Sequence, residues 1–170
     1  MKIICVGRNY VDHAKELGND IPDEPVIFMK PKSALLQSHT PFYYPEFSNE
    51  LHYEVELVLR ICKNGRYIPE RQASKYYNAL TVGIDFTARD IQNELKAKGL
   101  PWEKAKAWDN SAVIGKWIDT TPALLKEPIN FSLKNNETIV QEGLSDDMMF
   151  SFDQIIAHIS NYFSLNIGDL

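Results

Sequence analysis

The chain has 170 residues, of which 44% are hydrophobic and 11% aromatic, a composition typical of a globular protein with one sizeable core. It carries 18 Lys and Arg residues against 23 Asp and Glu, a net charge of -5, and the basic residues form no cluster, which argues against nucleic acid as a partner. No apolar run has the length of a membrane span or the pattern of a signal peptide, so we expect one cytoplasmic domain, residues 1–170, with no membrane contact.

The predicted elements alternate short strands with short helices. The first residues predict a buried strand, followed by a short helix from Asn9 as N-cap to Gly18 as stop. Further patterns predict, in order, strands at Val26–Lys30 and Leu51–Arg60, a helix at Glu70–Tyr77, a strand at Leu80–Ile84, a helix from Thr87 with a capping box and a stop at Gly99, a hairpin of Ile129–Leu133 with Thr138–Glu142, and a helix at Phe152–Phe163 capped by Ser151.

The two cysteines, Cys5 and Cys62, lie in apolar, strand-like segments. A pair of cysteines in such settings does not resemble a disulfide framework or a zinc motif. We therefore expect two reduced thiols in the core.

The segment Leu51 to Arg60, LHYEVELVLR, places two carboxylates two residues apart on a predicted strand. Alternate side chains of a strand share a face, so Glu54 and Glu56 point the same way and repel each other. Either water solvates this face, which is the commoner arrangement, or a divalent cation lies between the carboxylates. Asp85, expected at the carboxyl end of the strand Leu80–Ile84, could supply a third oxygen ligand, and His52 is a weaker candidate ligand on the same face.

Other residues are candidates for acid–base or anion chemistry. His13 and Glu16 lie three apart on the first predicted helix, where they form either a base with its orienting carboxylate or an ordinary surface ion pair. Lys106, among aromatic and small residues, either stabilises an anion or enolate or is a surface lysine. Arg89 and Gln92 lie near the N-terminus of the Thr87 helix, where the helix dipole favours anions.

Ordered blocks of the sequence resemble the fumarylacetoacetate hydrolase family, in its small single-domain branch of acylpyruvate hydrolase and oxaloacetate decarboxylase-like proteins. They are VGRNYVDHAKELG at 6–18, EPVIFMKP at 24–31, LHYEVEL at 51–57, IDFTARDIQ with KGLPWEKAK at 84–106, QEG at 141–143 and NIGDL at 166–170.

The resemblance implies a fold and a set of site residues. The fold is β-rich α+β, a mixed rolled sheet with short peripheral helices, in a chain expected to form a homodimer. Family chains continue beyond GDL into further strands, so this one is expected to lack C-terminal strands. The implied roles are Mg2+ or Mn2+ binding by Glu54, Glu56 and Asp85, a base dyad of His13 and Glu16 in a lid helix, a catalytic Lys106, and substrate contacts from Arg89, Gln92 and Lys30.

The resemblance also implies an activity on a small keto acid. The first expectation is metal-dependent hydrolysis of a carbon–carbon bond in acylpyruvates or related 1,3-dicarbonyl acids through a stabilised enolate. The alternative is an oxaloacetate decarboxylase or a keto–enol or hydroxy-dienedioate isomerase, which would share the site. A further alternative is a non-catalytic remnant that binds a ligand or pairs with a longer subunit.

Overall fold

The computed structural model describes residues 1–11 and 21–170. Its elements are β1 Ile3–Gly7, β2 Val26–Lys30, β3 Leu51–Ile61, α1 Glu70–Ala73, β4 Tyr77–Ala88, α2 Arg89–Ala97, α3 Glu103–Lys106, β5 Ala112–Ile114, β6 Ile118–Asp119, β7 Asn130–Asn135, β8 Thr138–Leu144 and α4 Phe152–Tyr162. Strands outnumber helices in these ranges, which confirms the predicted β-rich α+β class. Most of the helix predicted from Asn9 to Gly18, with His13 and Glu16, lies outside the described residues.

The strands of the described ranges form three antiparallel sheets. β1 pairs with β2, and β7 pairs with β8 as the predicted hairpin. The central sheet has the order β3, β4, β5, and β6 also pairs with β4. β3 and β4 are the longest strands and pair from Leu51 opposite Ala88 to Ile61 opposite Tyr77, so they form the frame on which the other segments are arranged.

The larger apolar core lies where α4 and α1 pack together. Its buried members are Ile61, Ile68, Ala73, Tyr77, Ile156, Ile159 and Leu165. The predicted cap of α4 is confirmed: the Ser151 side chain accepts the Gln154 N–H at 3.3 Å, and the Gln154 side chain accepts the Ser151 N–H at 2.8 Å. Across residues 1–11 and 21–170, every helix is too short or too polar to cross a membrane.

The two thiols have different environments. Cys5 is buried, and burial together with the charge of Asp85 raises the pKa of its thiol. Cys62 is only partly buried, and its Sγ lies 3.7 Å from the Lys75 carbonyl oxygen. Both are free, as predicted, but only Cys5 is a core residue.

Two boundaries predicted next to or within β4 are wrong. The helix predicted at Glu70–Tyr77 ends at Ala73, because Tyr77 already pairs with Ile61 as the first residue of β4. β4 then runs to Ala88, so Asp85 lies inside the strand rather than at its carboxyl end. Tertiary pairing overrides the local helix propensity here.

The last residues of the chain lie between β1 and β3. The Ile61 N–H donates to the Asp169 carbonyl at 2.9 Å and the Gly168 N–H donates to the Ile61 carbonyl at 2.8 Å. On the other side, the Ile4 N–H donates to the Leu170 carbonyl at 2.8 Å. These bonds fix the distance between the two sheets at one end of the cavity described below.

The carboxylate of Asp169 stabilises the contact of these last residues with β1 and β3, and it does so only when it is ionised. It is 1% exposed, accepts the N–H groups of Lys2 at 2.7 Å and Asn166 at 2.8 Å, and pairs with the Lys2 ammonium at 2.5 Å. Burial alone would raise the pKa of Asp169, but these donors lower it below its ordinary value. The ionised Asp169 carboxylate therefore contributes its full stabilisation at pH values above about 4, the pKa of an aspartate in the unfolded chain. This stabilisation is lost as the pH falls through the lower pKa that Asp169 has in the folded chain.

We expect Asp169→Asn to lower the free energy of unfolding at neutral pH by about 1 to 3 kcal/mol. The difference in the free energy of unfolding between this variant and the parent chain should be smaller near pH 3. Urea unfolding at neutral pH and at pH 3 measures it. The exposed Asp109→Asn is the control and should have little effect. A loss for Asp169→Asn that is the same at both pH values would contradict the ionic role.

Candidate metal centre and cavity

Three carboxylates share one face of the β3–β4 pair. Glu54 lies directly opposite Asp85 in the register, and Glu56 follows two residues further along β3 on the same face. One oxygen atom of each carboxylate lies within 4.8 Å of the others. The side chains of Glu54 and Asp85 are only 14% and 4% exposed, so the solvated face that remained an alternative from the sequence does not fit. We call these three residues the carboxylate triad.

A glycine opposite Glu56 lets the neighbouring strand approach the triad. Gly83 faces Glu56 across the strand pair. A Cβ atom at Gly83 would lie 2.8 Å from the Val113 carbonyl oxygen and 2.9 Å from Val58 Cγ2. β5 can therefore pair closely with β4 at this point only because residue 83 has no side chain.

Lys106 inserts its ammonium group into the triad from α3. Its Nζ donates to Glu54 Oε2 and Asp85 Oδ2, both at 2.7 Å, and to Thr87 Oγ1 at 2.5 Å. Lys106 is 3% exposed, so this charge is fixed in a largely dry environment. The ammonium offsets the repulsion between two facing carboxylates, which the register forces together.

Arg89, the first residue of α2, ties that helix to the triad. Its Nη2 atom donates to Glu54 Oε1 and its Nη1 atom donates to Gln92 Oε1. Its Nε atom lies 3.3 Å from His52 Nδ1. His52 thus contacts Arg89 and Glu50 and is not part of the triad.

Lys30 lies behind the triad, with 2% exposure. Its Nζ donates to the backbone carbonyl of Lys106 and, at 3.1 and 3.0 Å, to the carbonyl and hydroxyl oxygens of Ser111. It also lies 2.8 Å from Asp85 Oδ1. Lys30 is absent from the residues that line the cavity, so the contacts in the structure are with protein groups, and substrate binding by Lys30 stays a prediction.

The surroundings drive the pKa values of the two glutamates apart. Burial alone would raise the pKa of Glu54, but the adjacent charges of Lys106 and Arg89 lower it to about 2. Burial and the charge of Asp85 raise the pKa of Glu56 to about 8. Burial disfavours the charged form of Lys106, yet Asp85 and Glu54 raise its pKa above the ordinary value. Lys106 is therefore a fixed cation, and Glu56 is the carboxyl group that holds a proton at neutral pH.

The chemistry of the triad fits a hard divalent cation. All the candidate ligand atoms are carboxylate oxygens, which Mg2+ and Mn2+ prefer. Asp85 Oδ1 is buried and contacts the Lys30 ammonium at 2.8 Å, while Asp85 Oδ2 contacts the Lys106 ammonium at 2.7 Å. The raised pKa of the Glu56 carboxyl, which reflects burial and the neighbouring charge of Asp85, is a feature that a bound cation would offset.

A cavity of about 670 Å³ is lined by Glu54 and Glu56 of the triad. Its charged lining residues are Arg8, Glu54, Glu56, Arg89, Lys96, Lys106, Glu142 and Asp147, and Gln92 also lines it. Phe28, Trp102 and Phe131 are among its aromatic walls. The volume suits a small organic acid rather than a polymer.

The structure brings most of the predicted site residues together. The triad and Lys106 are in direct contact, and Arg89 and Gln92 join them through α2. The base dyad of His13 and Glu16 lies outside the described residues and stays a prediction.

A family model described as Fumarylacetoacetate (FAA) hydrolase C-terminal matches residues 2–170. The chain belongs to the fumarylacetoacetate hydrolase family. The resemblance that the sequence blocks indicated is thereby confirmed.

Three similar proteins illustrate the range of the family. The mitochondrial oxaloacetate tautomerase FAHD1 of Arabidopsis thaliana is 42% identical, with 99% of this chain and 76% of the relative covered. The oxaloacetate tautomerase YcgM of Escherichia coli is 38% identical, with 99% and 78% covered. The crystal structure of fumarylpyruvate hydrolase from Pseudomonas aeruginosa in complex with Mn2+ and pyruvate has a TM-score of 0.91 and 35% identity, with 99% and 75% covered. The chain thus spans about three quarters of the length of these family members.

Some site residues were missed or misread in the sequence. Thr87 was predicted as a helix cap, but α2 has Ala88 at its N-cap position with no side-chain cap bond, and the Thr87 hydroxyl accepts Lys106 instead. Its position two residues after Asp85, on the same strand face, was the signal that could have shown this. Ser111 has no such signal, because only the folded chain brings it to Lys30.

The raised pKa of Glu56 predicts that cation binding releases a proton. At pH 7 about one proton should leave per Mn2+ bound, because Glu56 must ionise to become a ligand, and the release should fall toward zero near pH 9. The apparent affinity for Mn2+ should rise with pH up to about 8 and then level off. Calorimetry in two buffers with different ionisation enthalpies measures the release directly.

Glu142→Gln is the matched control, because Glu142 lines the cavity outside the triad and the release should persist in that variant. Mn2+ binding at pH 7 without proton release would contradict the protonated state of Glu56.

Proposed function

We propose that this chain catalyses divalent-cation-dependent keto–enol chemistry on small 1,3-dicarbonyl keto acids, with tautomerisation of oxaloacetate as its reaction. The observation that carries the proposal is the buried carboxylate triad with the Lys106 ammonium fixed among its oxygens, at the wall of a small-molecule cavity. The names of the Arabidopsis and Escherichia coli relatives support this reaction.

Mg2+ or Mn2+ would be held by the triad, and Mn2+ is the ion named for the Pseudomonas relative. When bound there, the cation supplies Lewis acidity that stabilises negative charge on the oxygens of a keto acid.

Charge stabilisation is the part of catalysis that the described residues explain. Keto–enol conversion removes a proton from the carbon between two carbonyl groups, and the electron pair that is left spreads onto oxygen before a proton returns. Lys106 stays protonated, so its charge lowers the energy of this enolate without acting as a base. The Lys106 ammonium needs little reorganisation during the reaction, because the protein already holds it in position.

Arg89 and Gln92 orient the oxygens of the substrate. The Gln92 side-chain oxygen accepts a hydrogen bond from Arg89 Nη1, so the group that Gln92 can offer to a ligand is its amide nitrogen with two N–H donors. Gln92 is 3% exposed and lines the cavity. The predicted His13 and Glu16 dyad would move the proton.

Hydrolysis of a carbon–carbon bond in an acylpyruvate is the second candidate, and the name of the Pseudomonas relative favours it. Both reactions need a stabilised enolate, and hydrolysis adds a water molecule that attacks the distal carbonyl. Decarboxylation of oxaloacetate would use the same enolate. The products distinguish the three: an isomer, pyruvate with a shorter acid, or pyruvate with carbon dioxide.

The homodimer and the cytoplasmic location remain proposals. The Arabidopsis relative is named as mitochondrial, so the names of the relatives do not point to one compartment.

Glu56→Gln tests the proposed function. Loss of one oxygen ligand should weaken Mn2+ binding by at least tenfold and lower oxaloacetate tautomerase activity by at least a hundredfold, because a neutral amide replaces a carboxylate in the triad. The enol absorbance measures turnover, and calorimetry measures Mn2+ binding. Glu46→Gln, an exposed glutamate of the same chemistry, is the control and should leave both unchanged.

Full activity of Glu56→Gln would contradict the proposal. The hydrolase would be favoured if the parent chain turns over an acylpyruvate but does not change the rate at which the keto and enol forms of oxaloacetate interconvert. A folded parent chain that binds Mn2+ but turns over neither acid would favour the non-catalytic alternative.

A further inference from the structure

The QEG block at 141–143 has no part in the proposed function, although all three of its residues line the cavity. Its first residue, Gln141, belongs to β8, and Gln141 Oε1 accepts a hydrogen bond from the Val55 N–H at 2.8 Å. These two residues are 86 positions apart in the chain. The bond therefore joins the β7–β8 hairpin to β3, a strand of the central sheet.

The Val55 N–H lies on the edge of β3 that faces away from β4. Along an edge strand, alternate residues direct their backbone groups away from the partner strand, and the Val55 N–H bonds Gln141 instead of β4. Within the described residues, the next hydrogen bonds on this edge are those of Ile61 with Asp169 and Gly168. The Gln141 side chain thus supplies a contact that a neighbouring strand would otherwise supply.

The position of this bond matters because Val55 lies between two members of the carboxylate triad. The Val55 N–H belongs to the peptide group that joins Val55 to Glu54, and the next peptide group leads to Glu56. Adjacent Cα atoms are about 3.8 Å apart, so a bond at Val55 restrains the backbone that carries both carboxylates. On the other edge, β4 restrains the same segment, where Glu54 faces Asp85.

The hairpin is built so that it holds Gln141 in place. Gly143 lies two residues further along β8, on the same face as Gln141, and Phe131 lies directly opposite Gly143. A Cβ atom at Gly143 would lie 2.8 Å from Phe131 Cε1, so the ring fills the space that a side chain would need. At the base of the hairpin, the Ser145 N–H donates to the Ile129 carbonyl at 3.0 Å, and Ser145 Oγ accepts the Ile129 N–H at 2.9 Å.

We propose that Gln141 is a positioning residue of the divalent cation site, because its side-chain oxygen holds β3 at Val55 so that Glu54 and Glu56 keep the spacing that the cation requires. The inference rests on the proposed function, since it assigns a residue to the same cation site. Groups that orient metal ligands commonly contribute tenfold to a hundredfold to metal affinity. Gln141 acts through the backbone, so we expect a contribution at the lower end, about tenfold.

Gln141→Met is the most direct test, because methionine has a similar size but no oxygen acceptor. Calorimetry should give an Mn2+ dissociation constant about tenfold higher than that of the parent chain. Gln141→Asn, whose amide oxygen is one methylene short of Val55, should have a similar effect. Gln141→Glu keeps an oxygen acceptor at the same reach and should bind Mn2+ at least as tightly as the parent. Gln37→Met, the same substitution at an exposed glutamine, is the control and should change nothing.

Turnover separates positioning of the cation ligands from direct contact with the substrate. In Gln141→Met, the loss of oxaloacetate turnover should be large at low Mn2+ and should largely disappear at saturating Mn2+. An Mn2+ dissociation constant that is unchanged in both Gln141→Met and Gln141→Asn would overturn the inference, whether or not turnover falls. A constant that Gln141→Glu fails to restore would overturn it as well. Thermal melts establish that each variant is folded.

Absence of Mn2+ binding by the folded parent chain would defeat the proposed function, and NMR without metal would then decide the positioning role. The side-chain carboxyl 13C resonances of Glu54 and Glu56 should shift in Gln141→Met and return toward the parent values in Gln141→Glu. Resonances that are the same in Gln141→Met and in the parent chain would show that Gln141 does not position these carboxylates.

Discussion

The register of β3 against β4 is the constraint on which the site depends. It places Glu54 opposite Asp85, with Glu56 two residues away on the same face. Two carboxylates about 4 Å apart repel by about 4 kcal/mol at an effective dielectric constant of 20. The fold tolerates this because the Lys106 ammonium bonds to both carboxylates. A one-residue slip of β3 would move Glu54 and Glu56 to the face opposite Asp85.

The balancing cations come from different elements, which couples the site to the fold. Lys30 belongs to β2, Arg89 to α2 and Lys106 to α3. Lys30 also donates to the carbonyl of Lys106, so one buried cation holds the backbone of another. The site thus forms only when the two sheets and both short helices are assembled.

Alternation along a strand made much of the centre predictable from sequence. Glu54 and Glu56 follow from the period of two, Asp85 and Lys106 were candidates from their local sequence context, and the family resemblance assigned the roles of all four. Thr87 matches a local capping pattern in the sequence, but in the fold its hydroxyl accepts a hydrogen bond from Lys106. The sequence around Thr87 does not distinguish these two roles. The role of Ser111 depends on its contact with Lys30, which lies 81 residues away in the chain, and no local pattern encodes such a contact.

The chemistry shared by the family explains why the reaction is harder to predict than the site. A stabilised enolate serves tautomerisation, decarboxylation and carbon–carbon hydrolysis, so the triad and Lys106 are compatible with all three. What differs is where a water molecule and a proton are placed, which depends on the predicted dyad and on the far end of the cavity.

We propose that the triad is a divalent cation site that cooperates with a keto acid. Calorimetric titration of Mn2+ into the 170-residue chain, with and without oxalate as a stable mimic of a keto acid enolate, tests it most directly. We expect Mn2+ to bind at one site, with an affinity that becomes at least tenfold higher in the presence of oxalate. Absence of Mn2+ binding by the folded chain, or binding that oxalate does not strengthen, would contradict it.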